Sequence, residues 1–384
     1  MMRKIMIVSV SAGTGHVRAA EALEASLKQA APGVSVLNVD ALNYSSKAFH
    51  QFISSGYAQI STRAPHLWGY MFDLTDTEKE PHAFYQSLLK RLQQFSARGL
   101  VNLMKAEKPD AVLCTHFLPP ALLKRYCRKH KKEIPIFCAV TDFDIHQMWH
   151  TPDLDGYFVA NDLSAYKLAQ WGMDPARIHV TGIPVHPVFS SPLDRTELCQ
   201  MYGLDTNLIT FLFITGGLNI AHVERILNNI AKEGPRFQMI LVTGRNEKLY
   251  HALSGLKVPQ NVSIYPFGYV KDIEKLMTVS DLIITKPGGL TVSESLVKNL
   301  PLLMIFPIPG QEDHNADYIL ECGAGLKAHS LMELEYKMRF LLDNPHYIEI
   351  MKKKAERCRK PDAARDIIQK ILENINFQER EKAT

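Results

Sequence analysis

Residues 5–16 read IMIVSVSAGTGH, and residues 208–217 read LITFLFITGG. Each is a nearly unbroken apolar run that stops on glycine. A short run of this kind, apolar on both faces, marks a strand of a parallel sheet. Helical patterns follow at Val17–Gln29 and at Ala221–Ala231. Strand, glycine turn and helix open a βαβ unit, and the chain does this twice. Outward from the first run, Val34–Val39, Ala111–Cys114, Ile136–Val140 and Gly156–Val159 read as further strands. Outward from the second, strands are expected at Gln238–Thr243, Val262–Tyr265, Asp281–Thr285 and Leu302–Phe306, with helices at Asp272–Val279 and Thr291–Lys298. The Pro/Ser-rich stretch Pro184–Pro192 between the two series suits a linker.

A chain of 384 residues exceeds one ordinary domain. The pattern predicts an α/β protein of two doubly wound domains, 1–188 and 195–361, with the active site in a cleft between them. A C-terminal helix over about 362–384 is expected to pack back on the first domain. Hydrophobic residues at 46% and charged residues at 22% exclude a disordered or fibrous chain. The net charge of +4 is too small to imply a nucleic-acid partner. Its excess of basic residues falls entirely within residues 1–190. The six cysteines are dispersed, without C-x-x-C spacing, and read as thiols of a reducing compartment. Neither a signal peptide nor a membrane-spanning run is apparent. The expectation is a cytoplasmic protein, attached peripherally to the inner face of the membrane if it works there.

Two glycine turns carry the candidate chemistry. In open α/β sheets, ligands bind beyond the C-terminal ends of the strands. Ser11-Ala12-Gly13-Thr14-Gly15-His16 occupies such a position, where Gly13 and Gly15 let a ligand approach and His16 offers an imidazole. It lacks the Gly-Lys-Ser/Thr of a P-loop, and Arg18 stands where a dinucleotide fingerprint needs glycine. Lys286-Pro287-Gly288-Gly289-Leu290-Thr291 has the same placement in the second half, with Thr291 as the expected helix cap and Glu294 one turn on. Backbone N–H groups at a helix start suit a diphosphate held without metal. Pro309-Gly310-Gln311-Glu312-Asp313-His314-Asn315 places an amide and carboxylates beside the same pocket. Asp142-Phe143-Asp144 and Asp153-Leu154-Asp155 match the short D-x-D string of some metal sites, but they lie in the other half, and no metal is expected.

The first half also holds an aromatic stretch, Tyr44–Asp76, and a possible amphipathic helix, Phe84–Lys105. A dense basic run follows, with Lys124, Arg125, Arg128, Lys129, Lys131 and Lys132. Aromatic and basic groups together predict contact with anionic membrane lipids. The alternative is a packed insertion and a solvated helix face.

The glycine turn with His16, the stretch Val140–His146, Thr181-Gly182-Ile183-Pro184-Val185, Phe267-Gly268-Tyr269-Val270, Lys286–Glu294 and Pro309–Glu312 together resemble glycosyltransferase family 28. Within that family they look most like the diacylglycerol glycosyltransferases: monogalactosyldiacylglycerol synthases and processive diacylglycerol glucosyltransferases. The resemblance implies a GT-B fold, a UDP-sugar donor on the C-terminal domain, a diacylglycerol acceptor on the N-terminal domain and inverting transfer of a hexose without metal or other cofactor. It further implies that Phe267, Tyr269 and Val270 hold the uracil and that Glu294 holds the ribose. Gly217 and Gly288, Gly289, Leu290 and Thr291 would hold the diphosphate, and Gln311, Glu312 and Asn315 the sugar. His16, Asp142 and Trp149 fall on acceptor-side positions, with His16 or Asp142 as the base. His186 stands where the family often has a basic residue. Three alternatives share the fold: transfer to an undecaprenyl-linked sugar, a UDP-sugar epimerase, and a non-catalytic nucleotide-sugar sensor.

Overall fold

The computed structural model describes residues 3–46, 50, 69–70, 72, 76, 98–216, 218–232 and 234–383. Strands β1 (Lys4–Ser9), β2 (Ser35–Asp40), β3 (Ala111–Cys114), β4 (Ile136–Ala139), β5 (Gly156–Val159) and β6 (Ile178–Val180) form one sheet in the order β2-β1-β3-β4-β5-β6. All its pairings are parallel. A parallel sheet is covered on both faces, so its central strands must be apolar throughout. Every residue of β3, β4 and β5 is accordingly buried.

Alternation along the strands divides the core. Met6 and Val8 join Cys114, Cys138 and Trp149 on one face. Ile5 and Ile7 join Leu113 and Phe137 on the other, beneath helix α1 (Thr14–Ala30). The last helix, Ala363–Ala383, lies on that same face and puts Ile367, Ile368 and Ile371 into its core. Gly182, at φ +94, lets this return happen, because a Cβ there would come within 2.5 Å of Lys360 Cβ.

The second sheet contains β7 (Ile209–Ile214), β8 (Phe237–Val242), β9 (Val262–Phe267), β10 (Leu282–Thr285), β11 (Leu302–Ile305) and β12 (Gly325–Ala328). Its order is β12-β11-β10-β7-β8-β9, again all parallel.

In each sheet the winding reverses once, between β1 and β3 and between β7 and β10. Such switch points open a crevice at the strands' carboxyl ends, where this class of fold binds ligands. Both glycine turns fall on these points.

The two compact units are not continuous in sequence. One consists of Met1–Pro187, Ile308–His314 and Lys360–Thr384, and the other of Val188–Pro307 and Asn315–Arg359. On sequence alone Gln311 and Glu312 group with the second half; the structure puts them in the first unit. There, the left-handed Gly310 lies against the Phe72 ring, and a Cβ at Gly69 would come within 2.7 Å of Pro309.

Candidate functional site

The first cluster gathers at the switch point between β1 and β3. His16 is in the first turn of α1, which starts three residues earlier than its apolar pattern implies. Its Nδ1 lies 2.9 Å from the main-chain carbonyl oxygen of Thr115 and 2.9 Å from Thr141 Oγ1. Thr115 Oγ1 in turn donates to the carbonyl of His16 at 2.9 Å. A carbonyl only accepts, so Nδ1 carries the ring proton and Nε2 keeps its lone pair. Burial lowers the pKa of His16 to about 4, against an opposing pull from the Thr115 bond. The ring is therefore neutral near pH 7, in the state a general base requires. Thr115 and Thr141 orient this ring.

His116 escapes inspection of the sequence, yet its ring stands edge-on to His16 with centroids 4.5 Å apart. Its Nδ1 accepts from the Leu118 N–H, and burial followed by the proximity of His16 pushes its pKa well below the usual value. Phe117 stacks on His116, and the buried Trp149 lies 6.1 Å from His16. The signal for Thr115 and His116 is their place directly after β3. Among the described residues, and leaving aside their chain neighbours and the backbone of α1, Gly13 and Gly15 have no atom within 4 Å of an added Cβ. Protein packing does not demand glycine at either position.

The Val140–His146 stretch leaves β4 at the same edge. Asp142, 5% exposed, accepts from Gln311 Nε2 at 2.8 Å. Asp144 is clamped by Lys167 Nζ at 2.6 Å and by His314 Nδ1 at 3.0 Å. These hydrogen bonds and charges overcome desolvation and hold its carboxyl below the usual range. The other D-x-D string is engaged as well: Asp153 pairs with Arg128, and Asp155 pairs with Lys124 at 2.6 Å and accepts from the Ile136 N–H. Among the described residues, no group of three His, Cys, Asp or Glu side chains is arranged for a metal ion.

Helices α2 (Leu118–Lys129) and α3 (Asp162–Gln170) belong to the first unit and α4 (Arg195–Tyr202), α5 (Ile220–Ala231), α6 (Glu247–Ser254) and α7 (Ile273–Val279) to the second, where the helix after α7 lies at the other switch point. Helix α8 spans Gly289–Val297, with Gly288 as its N-cap and no side-chain cap bond. Thr291 is thus inside the helix and does not cap it. By contrast, α5 and α6 are capped by Asn219 and Asn246. The start of α8 leaves backbone donors at the strand ends, where an anion is favoured. Glu294 is buried on α8, while Leu290 is part of the core.

At the end of β9, the Phe267 carbonyl accepts from both the N–H and the hydroxyl of Thr243. Tyr269 is exposed, with the Arg245 guanidinium 5.8 Å from its ring centroid. Gly217 lies outside the described residues.

Helix α9 (Gln311–Cys322) begins with Gln311 and Glu312, and Glu312 Oε2 accepts from the Ile308 N–H at 2.6 Å. Asn315, further along this helix, is buried.

The basic run occupies the C-terminal part of α2 and the turn after it. Lys124 is partly withdrawn into its pair with Asp155. Arg125, Arg128, Lys129, Lys131 and Lys132 remain exposed. Helix α2 leaves the carboxyl end of β3 and returns to the start of β4, so these residues lie at the sheet edge opposite His16. Of the aromatic stretch, Tyr70 is exposed and Phe72 is buried against His146; Phe49, Phe52, Tyr57 and Trp68 lie outside the described residues, as do residues 84–97 of the expected amphipathic helix. No helix among the described residues is long and apolar enough to cross a membrane.

Comparison with known proteins adds family evidence to this geometry. Residues 16–185 match the family model described as monogalactosyldiacylglycerol (MGDG) synthase, and residues 211–371 match the glycosyltransferase family 28 C-terminal domain. The chain is 27% identical over 377 residues to a processive diacylglycerol beta-glucosyltransferase of Bacillus pumilus, covering 98% of this chain and 96% of that protein. It is 28% identical over 379 residues to a protein of the same name from Staphylococcus epidermidis, covering 97% and 93%. Among solved structures, MurG of Acinetobacter baumannii superposes with a TM-score of 0.65 at 17% identity, covering 97% of this chain and 99% of that one. A UDP-GlcNAc 2-epimerase of Neisseria meningitidis bound to UDP-GlcNAc gives 0.61 at 14% identity, covering 97% and 100%. These likenesses show a GT-B fold.

Proposed function

We propose that this chain, which belongs to glycosyltransferase family 28, transfers a hexose from a UDP-sugar to the free hydroxyl of 1,2-diacylglycerol with inversion at the anomeric carbon. The observation that carries the mechanism is the neutral His16 ring with its Nε2 lone pair at a sheet switch point. Nε2 takes the proton of the acceptor hydroxyl as that oxygen bonds to the anomeric carbon. The bond from that carbon to the donor's diphosphate breaks, and UDP carries away the electron pair. Backbone N–H groups at the uncapped start of α8 stabilise the charge that develops there. Glu294 is assigned to the ribose, Gly268–Val270 to the uracil, and Gln311 and Glu312 to the sugar.

Glucose is the favoured sugar, supported by the names of the relatives. A beta-glucoside formed from an alpha-linked UDP-glucose requires inversion. No metal is assigned to the reaction: Asp144, Asp153 and Asp155 are neutralised by protein cations, and the phosphate site offers backbone donors. The epimerase alternative has nearly equal support from fold, but the two family models and the full-length relatives favour transfer.

A diacylglycerol acceptor stays in its bilayer, so the protein must reach that surface. Membrane entry is assigned to the edge bearing His16; of the aromatic stretch, Tyr70 is exposed. The exposed part of the basic run starts about 10 Å along α2 from this edge and ends past its last turn, beyond a Debye length of about 8 Å. Its part is confined to weak, salt-sensitive attraction of anionic lipid.

Incubation with UDP-glucose or UDP-galactose, with and without diacylglycerol and with excess EDTA, tests the proposal by thin-layer analysis. Glycolipid formed only with diacylglycerol, undiminished by EDTA, is the expected result. Epimerised UDP-sugar without acceptor would overturn it.

A further inference from the structure

We infer that His314 is a positioning residue for the transfer proposed above: its ion pair with Asp144 holds the first turn of α9 so that Gln311 stays on Asp142. Gln311 and His314 are three residues apart and therefore share one helix face. They meet Asp142 and Asp144, which are two residues apart on the turn after β4. The two contacts measure 2.8 Å and 3.0 Å and act as a clasp between two short segments of the first unit. Gly310 against Phe72 and the Ile308–Glu312 bond stiffen the same segment. The Phe72 ring also lies 5.9 Å from His314.

The charged surroundings of His314 set how the clasp responds to pH. Asp144 faces it from the turn after β4, Lys167 from α3, Asp76 from the stretch after β2, and His146 from the same turn as Asp144. Glu312 and Asp313 lie beside it in its own turn. The hydrogen bond to Asp144 comes first among these influences, and the pKa of His314 is raised above its ordinary value. Below that raised value the contact is charge-assisted. Above it, a neutral imidazole meets the carboxylate, and the bond is weaker. Gln311, assigned to the donor sugar, then loses its fixed placement.

The consequence is an alkaline decline in kcat/KM for the UDP-sugar that belongs to His314. His314→Gln should lower kcat/KM on the order of tenfold at pH 6.5 and abolish that decline, consistent with loss of a charged hydrogen bond. His314→Lys, which keeps the charge, should recover most of the rate and also lack the decline. An unaltered alkaline limb in His314→Gln would overturn the assignment. The His314 ring titration, followed by NMR in the full chain and in Asp144→Asn, is independent of turnover. The wild-type ring should titrate above 6.5 and the Asp144→Asn ring lower; equal values would overturn the ion pair's role. If the wild type forms no glycolipid, the proposed transfer fails, while the ring titration still decides whether the clasp exists.

Discussion

The Thr115 carbonyl accepts the Nδ1 proton of His16 at 2.9 Å, and this contact decides which ring nitrogen is basic. The bond comes from the main chain of the strand end beside the glycine turn. It persists whatever side chain stands at position 115. Neither the orientation nor the tautomer of the base therefore depends on a carboxylate.

Replacing His16 by Ala should cut turnover by about 10²–10⁴. With a pKa of about 4, the wild-type base remains deprotonated from pH 8 down to 6. The acid limb of kcat/KM should accordingly fall below pH 6. A limb at 6.5 or higher would mean that the ring is not desolvated as described. Near-normal turnover in the Ala variant would remove His16 from the chemistry.

Stability should weaken on the acid side through the same rings. His16 and His116 have depressed pKa values in the folded chain, so the unfolded chain binds more protons once pH falls below about 6.5. The stabilisation from their neutral state is intact above that value and is lost as pH falls toward the folded values. Melting temperatures recorded from pH 7.5 to 5 should decline, and His116→Phe should lessen the decline. A flat profile in the wild type would contradict this.

Gly15→Ala should separate folding from function. Among the described residues, no atom beyond the chain neighbours and the backbone of α1 lies within 4 Å of the added Cβ, and alanine favours a helix over glycine by up to about 1 kcal/mol. The variant should melt no lower than the parent. If a substrate closes on this turn, kcat/KM should nevertheless drop. Unchanged kinetics would show that the open space is not used.

The basic run divides into structural and surface cations. Lys124→Met leaves the partly buried Asp155 without its cation and should cost about 1–3 kcal/mol, measured by urea unfolding. Neutralising Lys129, Lys131 and Lys132 together should leave stability unchanged within about 0.5 kcal/mol per site. Vesicle binding by the triple variant should lose only its salt-sensitive part. Complete loss of binding would return membrane entry to this edge.

The two sheets are legible in the sequence because buried parallel strands appear as short apolar runs. Ala111–Cys114 and Gly156–Val159 agree with the structure to the residue. Strand β6 is only three half-buried residues, and β12 is interrupted by the half-buried Leu326 and Lys327, so neither forms such a run. The glycine turns are legible because strand, turn and helix succeed one another locally. Thr115 and His116 are harder to see: their proximity to His16 depends on β3 lying beside β1, a neighbour relation absent from the linear chain. The bond from Gln311 to Asp142 spans 169 positions and carries no periodicity. Its residues are visible singly, but their partnership is not.

The last helix has a consequence for the order in which the protein can be made. Ile5, Ile7, Leu113 and Phe137 emerge early in synthesis, whereas Ile367, Ile368 and Ile371, which complete that face, come near the end. All of Val188–Pro307 and Asn315–Arg359 must be translated in between. A nascent first half therefore presents an uncovered apolar surface while the second is still being synthesised, the condition that favours misassembly and chaperone capture. A fragment ending at Pro187 inherits the same bare face permanently.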